Sequence, residues 1–171
     1  MPRVRVAELA LTDRQFLRRN WPHADTLTRL SAEVELDRVL NGVAARVGHL
    51  GPPDPVCCLA ETLVLATRRV REHPVTRATA RTAPELLSSA LVCWESTLHA
   101  RAWNWLRSQV HCLGPERRAQ AEALTYQLFA AALPFALGQA PPGDGLQDRI
   151  DERVRAVTHL CLTGVADCAL H

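Results

Sequence analysis

Prolines divide this sequence into stretches whose apolar residues recur every three or four positions. Pro55, Pro84 and Pro115 each stand at the start of such a stretch, and proline fits well in the first turn of a helix. Apolar residues at that spacing share one face of a helix, whereas a strand requires strict alternation, of which no useful length occurs. The pattern therefore predicts an all-α protein.

The same signals predict where the helices lie. Asp54 is expected to cap a helix that begins at Pro55, and Pro74 is expected to end it. A kink or early end is expected at Pro134, because proline lacks the N–H that the helix needs. The predicted helices are two short ones within 3–21, then 24–47, 55–73, 84–113, 115–138 and 146–163 or as far as 170, with a short segment at 75–82.

Composition limits the classes of protein that fit. Of the 171 residues, 47% are hydrophobic and 22% are charged, which is typical of a globular chain, and the net charge of +2 is too small for a nucleic-acid-coating surface. No apolar run is long enough for a membrane span, and the start lacks a signal-peptide pattern, so we expect a cytoplasmic protein with no membrane partner.

The residues that carry chemistry form no recognisable site. The six cysteines include no CxxC pair, and no His, Cys or Glu spacing matches a zinc motif, so free thiols, no metal and no cofactor are expected. No arrangement of Cys and His suited to nucleophilic catalysis is present either. The sequence therefore predicts a protein that is not an enzyme.

Two segments resemble the TetR family of bacterial transcriptional regulators. The first runs from Val6-Ala-Glu-Leu-Ala10 through Phe16-Leu17-Arg18-Arg19-Asn20-Trp21-Pro22 to Asp25-Thr26-Leu27, and it is similar to the second and third helices of the family's helix-turn-helix headpiece. The second, Val70-Arg-Glu-His-Pro74 followed by Arg81-Thr-Ala-Pro-Glu-Leu-Leu87, is similar to a stretch of the family's ligand-binding domains. The resemblance implies a TetR-like helical bundle, with an incomplete headpiece at 1–27 and a ligand-binding and dimerising domain at 28–171.

The headpiece departs from the family pattern at the residues that contact DNA. Phe16, Arg18 and Ala24 stand where the family has Thr, Tyr and Lys, which bind phosphates, and the similarity begins at the family's second headpiece helix, so an incomplete headpiece is expected. Phosphate contacts supply most non-specific affinity, so weak DNA binding is expected, with Arg14, Arg18 and Arg19 as the candidate DNA-binding residues. The chain is therefore expected to be a regulator, or alternatively a ligand-binding or heterodimerising module without DNA binding of its own.

The tryptophan-rich helix predicted at 84–113 points to an effector site. Its apolar residues form stripes on two sides, which is typical of a central helix that has neighbours on both. Such a helix either fills a core or walls a cavity, and the resemblance implies a cavity for a small apolar or amphipathic effector. Arg101 lies beside Trp94 and Trp105 on one of these stripes, and a buried arginine needs a partner. Glu61, Glu95 or an anionic group of the ligand can supply it. The candidate pocket residues are Trp94, Leu98, Arg101, Trp105, Tyr126 and Phe129.

The last two predicted helices each carry an apolar stripe beside charged outer residues. These stripes can pack within one chain, but the resemblance implies a four-helix bundle between two subunits, and hence a homodimer. The candidate interface residues are Leu124, Leu128 and Phe135 on the first helix, and Val154, Val157 and Cys161 on the second.

Overall fold

The computed structural model describes Gln15 and residues 24–50, 54–82, 84–138 and 145–168, and within them it contains helices and short connections but no strand. The prediction of an all-α fold is confirmed. The helices are α1 (Ala24–Leu50), α2 (Pro55–Glu72), α3 (Pro74–Thr82), α4 (Pro84–Val92), α5 (Thr97–His111), α6 (Pro115–Arg118), α7 (Ala121–Leu137) and α8 (Leu146–Cys168). None of these helices is both long enough and apolar enough to cross a lipid bilayer.

The chain divides into two compact units, residues 1–35 and residues 36–171. In the first unit the structure describes Gln15 and the helical residues 24–35, where Glu33 is buried while Leu30 and Val34 are exposed. The domain boundary predicted after residue 27 falls inside this unit. The second unit contains everything described below.

Helix α2 begins and ends where its sequence signals predict. The Asp54 carboxylate accepts a hydrogen bond from the backbone N–H of Cys57 at 2.9 Å, and Pro55 occupies the first turn. This bond lowers the pKa of Asp54. At the other end His73 is extended, with ψ of 132°, as residues before a proline prefer. Pro74 ends α2 and at once begins α3, so the segment predicted at 75–82 is itself a helix.

The prediction of a single helix at 84–113 is wrong, because residues 93–96 interrupt it. Ser96 has extended backbone angles (φ −75°, ψ 133°), and α5 starts at the next residue. The imidazole Nδ1 of His99 lies 2.7 Å from the carbonyl oxygen of Leu91 and therefore satisfies one of the last carbonyls of α4. A side chain from the next helix thus helps to end α4.

The segment predicted as one helix from 115 to 138 is also divided. Gly114 adopts φ of 110°, which glycine tolerates, and directs the chain into the short helix α6 at Pro115. Residues 119–120 form a turn before α7 begins at Ala121. Pro134 lies within α7, which ends three residues later at Leu137.

The main core of the second unit lies between α2, α5, α7 and α8. Helix α2 packs against both α7 and α8, α7 and α8 pack against each other, and α5 packs on α7. The buried apolar residues are Leu59, Leu63, Val64, Leu106, Val110, Ala121, Leu124, Leu128, Val154 and Leu162. A smaller core joins α1 to α2 through Leu40, Val43, Val47 and Ala66, and Trp105 packs against both cores.

Candidate functional site

An apolar groove lies where α2, α4, α5 and α7 meet the end of α1 that belongs to the second unit. Thr67 is its single polar lining residue, and its hydroxyl is already bonded to the carbonyls of Leu63 (2.9 Å) and Val64 (3.0 Å). The lining residues are Leu36, Leu40, Leu63, Ala66, Thr67, Val70, Leu91, Ala102, Trp105, Leu106, Phe129, Ala132, Leu133 and Ala136.

The groove is narrow, and one of its lining residues, Trp105, has an unused hydrogen-bond donor. Its open volume is about 70 Å³, whereas sites for drug-sized ligands usually exceed about 300 Å³. The indole Nε1–H of Trp105 is buried and has no acceptor among the described residues. A buried donor without a partner is unfavourable, because it has lost its hydrogen bond to water.

Two of the six predicted pocket residues line this groove. Trp105 and Phe129 form part of its wall, whereas Leu98, Trp94 and Tyr126 do not. The helix break at 93–96 explains the difference for Trp94, because it removes this side chain from the stripe that a continuous helix would have formed. The groove also has a wall that the sequence analysis missed, since Leu36 and Leu40 of α1 contribute to it.

Arg101 lies outside the groove and has a protein partner. Its guanidinium forms an ion pair with the carboxylate of Asp37 on α1, and both side chains are partly exposed. Neither of the two partners suggested by the sequence, Glu61 or Glu95, is involved in this pair. Asp37 is remote in sequence, so no local pattern indicates the pairing.

An aromatic cluster forms around His99 on α5, next to the groove, and Phe129 belongs to both. Trp94 lies 4.7 Å from the His99 ring and 5.5 Å from Trp103, measured between ring centroids. Phe129 contacts His99 edge-to-face at 4.8 Å and Trp103 at 5.9 Å. Tyr126 lies 6.3 Å from Trp94 with the two ring planes within 7° of parallel. Trp94 and Tyr126 remain 63% and 55% exposed, which leaves an aromatic surface open to solvent.

His99 is the most enclosed member of this aromatic cluster. The residue is 4% exposed, its Nδ1 is bonded to the Leu91 carbonyl, and its Nε2 has no hydrogen-bond partner among the described residues. The sequence analysis missed His99 as a site residue, although its position four residues before Trp103 indicates that both side chains share one helix face.

Buried charges join α2 to α8. Asp151, 1% exposed, forms an ion pair with Arg68, and its second oxygen lies 3.7 Å from the Nη2 of Arg71. Arg71 is 4% exposed and donates through Nη1 to the Phe135 carbonyl at 2.6 Å. Burial lowers the pKa of Arg71, and the Asp151 carboxylate opposes that effect. The carboxylate of Asp151 is therefore the buried anion that offsets the positive charge of both Arg68 and Arg71.

A second ion pair between the same helices lies nearer to the solvent. Arg155 donates to both carboxylate oxygens of Glu61, at 2.5 and 3.1 Å. These bonds lower the pKa of Glu61 and raise the pKa of Arg155. Both side chains are about 40% exposed, so water screens the attraction.

Half of the predicted interface residues belong to the core of a single chain. Leu124, Leu128 and Val154 are each at most 2% exposed and pack against α2 and α5, so they offer no surface to a second subunit. The apolar stripe of α7 is covered from within because α2 lies against it. The other three candidates, Phe135, Val157 and Cys161, are half buried, and burial raises the pKa of the Cys161 thiol.

A second pocket lies between the start of α2 and the end of α5. It is larger than the groove, at about 270 Å³, but its lining mixes apolar with polar side chains. Its lining residues are Pro55, Cys58, Leu59, Thr62, Gln109, Cys112 and Leu113. The two cysteines are free thiols.

The candidate DNA-binding residues Arg14, Arg18 and Arg19 lie outside the described residues. In the part of the chain that the structure describes, no three His, Cys, Asp or Glu side chains are grouped to hold a metal ion. Comparison with protein-family models, curated proteins and solved structures finds no match to this chain.

Proposed function

We propose that this chain is a TetR-like transcriptional regulator whose helical domain binds a small apolar or amphipathic effector. The observation that carries the proposal is the groove between α2, α4, α5 and α7, whose lining is apolar except for Thr67. Ligand sites in proteins are mostly apolar, with a few polar groups that fix the orientation of the ligand. The two resembling sequence segments connect such a site to the TetR family.

The effector's chemistry follows from the polar groups around the groove. The Thr67 hydroxyl donates its hydrogen to carbonyls of its own helix, so it has no free donor to offer a ligand. The Trp105 N–H is the unused donor, and it is buried at present. A compound that is mainly apolar and carries one hydrogen-bond acceptor would satisfy this donor once the groove opens.

Binding of such an effector requires the groove to widen. The present volume of about 70 Å³ is below the roughly 150 Å³ of an apolar cavity that holds benzene. Leu91, near the end of the nine-residue helix α4, forms one wall, so movement of α4 would enlarge the site. An effector that binds only the open conformation shifts the population toward it, which is the requirement for regulation.

The proposed regulator is a homodimer that associates through the outer faces of α7 and α8. Phe135 and Val157 border a shallow furrow between these helices. Leu160, which follows on α8, is 68% exposed and is a large apolar side chain without cover in the described chain. A second copy of α7 and α8 would bury these side chains in the four-helix arrangement that the resemblance implies.

A second candidate function is a TetR-derived ligand-binding or heterodimerising module that does not bind DNA. It is favoured by the sequence at Phe16, Arg18 and Ala24, where the resemblance implies Thr, Tyr and Lys as phosphate contacts. Each lost contact lowers the affinity and the salt dependence of DNA binding.

Effector binding is tested with a matched pair of substitutions on α5. Ala102→Leu places a larger side chain in the groove, and Ala100→Leu adds the same atoms at an exposed position. In a thermal-shift panel of apolar and amphipathic compounds that includes decanoate and naphthalene, we expect some compounds to stabilise the unmodified protein and Ala100→Leu but not Ala102→Leu. A panel in which nothing stabilises the protein, or in which Ala102→Leu responds equally, contradicts the proposal.

The dimer is tested by a charge at its proposed seam. Val157→Arg should convert the dimer to a monomer, because the guanidinium would be buried without a partner, whereas the exposed position His159→Arg should leave the dimer intact. Light scattering measures both. A monomer in the unmodified protein shows that the assigned interface is wrong.

DNA selection separates the two candidate functions. A duplex recovered from a random pool and bound at nanomolar affinity in physiological salt identifies a regulator that reads DNA itself. Weak binding that falls steeply with salt and does not depend on sequence identifies the module.

A further inference from the structure

We propose that the aromatic cluster around His99 is a second small-molecule site, one for a flat aromatic compound that carries an N–H or O–H donor. The site lies on the face of α5 that carries His99 and Trp103, and it is formed by Trp94, His99, Trp103, Tyr126 and Phe129. It goes beyond the function proposed for the groove and does not depend on it.

The acceptor in this site is the Nε2 atom of His99. A carbonyl oxygen can only accept, so the 2.7 Å contact with Leu91 requires the hydrogen to be on Nδ1. In the neutral ring Nε2 then has a lone pair, and it has no partner among the described residues although the residue is 96% buried, the complement of its 4% exposure. The hydrogen bond from Nδ1 helps to end α4, whereas Nε2 makes no hydrogen bond to the described residues and is available to a ligand.

Trp94 is the side chain that closes the site. Its ring lies 4.7 Å from the ring of His99, but the residue belongs to the turn at 93–96 and is 63% exposed. An exposed indole on a turn can change rotamer with little loss of buried surface. Movement of Trp94 would uncover His99 and leave Trp103 and Phe129, at 6.2 and 4.8 Å from His99, as walls.

The shape and chemistry of the walls select the ligand. Aromatic rings favour other flat rings in stacked or edge-to-face contact, and two rings, those of Trp103 and Phe129, remain around His99 after Trp94 moves. Tyr126 is nearly parallel to Trp94, so a flat compound that enters beside Trp94 meets a parallel ring that is already half exposed. A donor on this compound completes the hydrogen bonding of Nε2.

The test uses indole and 1-methylindole, which have similar rings but differ in the N–H. Calorimetric titration of the full chain should give an affinity for indole about threefold to tenfold higher than for 1-methylindole, the usual range for one hydrogen bond. In protein labelled with ¹⁵N-histidine, indole should move the Nε2 resonance of His99 upfield, and 1-methylindole should not. Equal affinities, or an unchanged His99 resonance in the presence of bound indole, overturn the proposal.

Substitutions locate the binding within the cluster. His99→Phe should abolish the discrimination between the two compounds. Trp94→Ala lies on an exposed turn and serves where His99→Phe fails to fold, and it should bind indole several-fold more tightly because no ring has to be displaced. Tyr126→Ala should weaken indole binding, whereas the neighbouring exposed substitution Gln127→Ala should leave it unchanged.

The outcomes distinguish this site from the groove. Ala102→Leu fills the groove and should leave indole binding unchanged if the compound occupies the aromatic cluster. Loss of indole binding in Ala102→Leu, or indole binding that Trp94→Ala and Tyr126→Ala do not alter, places the compound in the groove and contradicts the second site while supporting the first.

Discussion

Two sides of the second unit differ in how completely the chain covers its own apolar surface. Where α2, α7 and α8 meet, the side chains of Leu124, Leu128 and Val154 are fully buried, and charges are taken into the interface along with them. Around the turn between α4 and α5, Trp94 and the neighbouring Tyr126 of α7 remain more than half exposed, and the groove nearby is open. The closed side has the packing of a structural core, whereas the open side has the space and unused polar atoms of a binding region.

The largest expected effect tests the closed side through its buried carboxylate. Asp151→Asn would leave Arg68 and Arg71 without their buried anion, which should lower the free energy of unfolding by about 3–5 kcal/mol. Asp148→Asn is the matched control, because Asp148 lies 3.9 Å from Arg68 but is 82% exposed, and its loss should cost less than about 1 kcal/mol. Urea denaturation measures both, and similar values for the two variants would contradict the assigned role of Asp151.

The next effect compares two neighbouring positions of α7, one on each side. Leu128→Ala should destabilise the protein by about 2–5 kcal/mol, since it leaves a cavity in the main core. Tyr126→Ala removes more atoms but only an exposed aromatic contact, so about 0.5–1.5 kcal/mol is expected. If Tyr126→Ala costs as much as Leu128→Ala in the same urea experiment, the aromatic cluster belongs to the structural core and the comparison fails.

The sequence predicted elements that local chemistry determines. The start of α2 is an example, since Asp54 and Pro55 act on their own helix and need no knowledge of the rest of the fold. The break at 93–96 contains neither proline nor glycine, and part of what ends α4 is the His99 imidazole that returns to the Leu91 carbonyl. A signal of this kind becomes visible only when α5 has been placed.

Contacts between helices decide which faces are covered and which charges pair, and local sequence patterns do not show these contacts. An apolar stripe shows that a helix face is covered, but not whether the cover comes from the same chain, and for Leu124, Leu128 and Val154 it is α2 and α5 of the same chain. Asp151 did carry a signal, because it lies three residues before Val154 on the same face of α8, where a carboxylate requires a buried partner. The pairing of Arg101 with Asp37 carried none, since 64 residues separate them.

A smaller change in stability is expected when an alanine is enlarged to leucine on the closed side and on the open side. Ala121→Leu should cost about 1–3 kcal/mol, because Ala121 is buried in a core that has no room for three more carbons. Ala102→Leu, which points the same addition at the groove, should change stability by less than about 0.5 kcal/mol or increase it, since it buries apolar surface in open space. A loss of more than this in Ala102→Leu, measured by thermal and urea denaturation, means that the groove is already filled.

The smallest effect concerns the rim of the closed side and depends on pH. Arg155 holds the pKa of Glu61 below its ordinary value of 4.5 in the folded protein. A carboxylate whose pKa is lowered by folding stabilises the folded state above its unfolded pKa and loses that contribution as the pH falls through the folded value. The unmodified protein should therefore exceed Glu61→Gln in stability above about pH 4.5, with the difference shrinking on acidification.

The size of this difference sharpens the contrast between rim and interior. Because both partners are about 40% exposed, the contribution of Glu61 should stay below about 1 kcal/mol and should decrease with added salt, in contrast to the effect of Asp151 one layer deeper. Glu152→Gln on the exposed face of α8 serves as the control for a change of one charge. Urea denaturation from pH 3 to pH 7 measures all three proteins. A difference in stability between the unmodified protein and Glu61→Gln that grows toward low pH would mean that folding raises the pKa of Glu61. The ion pair with Arg155 would then not be the interaction that governs the charge of Glu61.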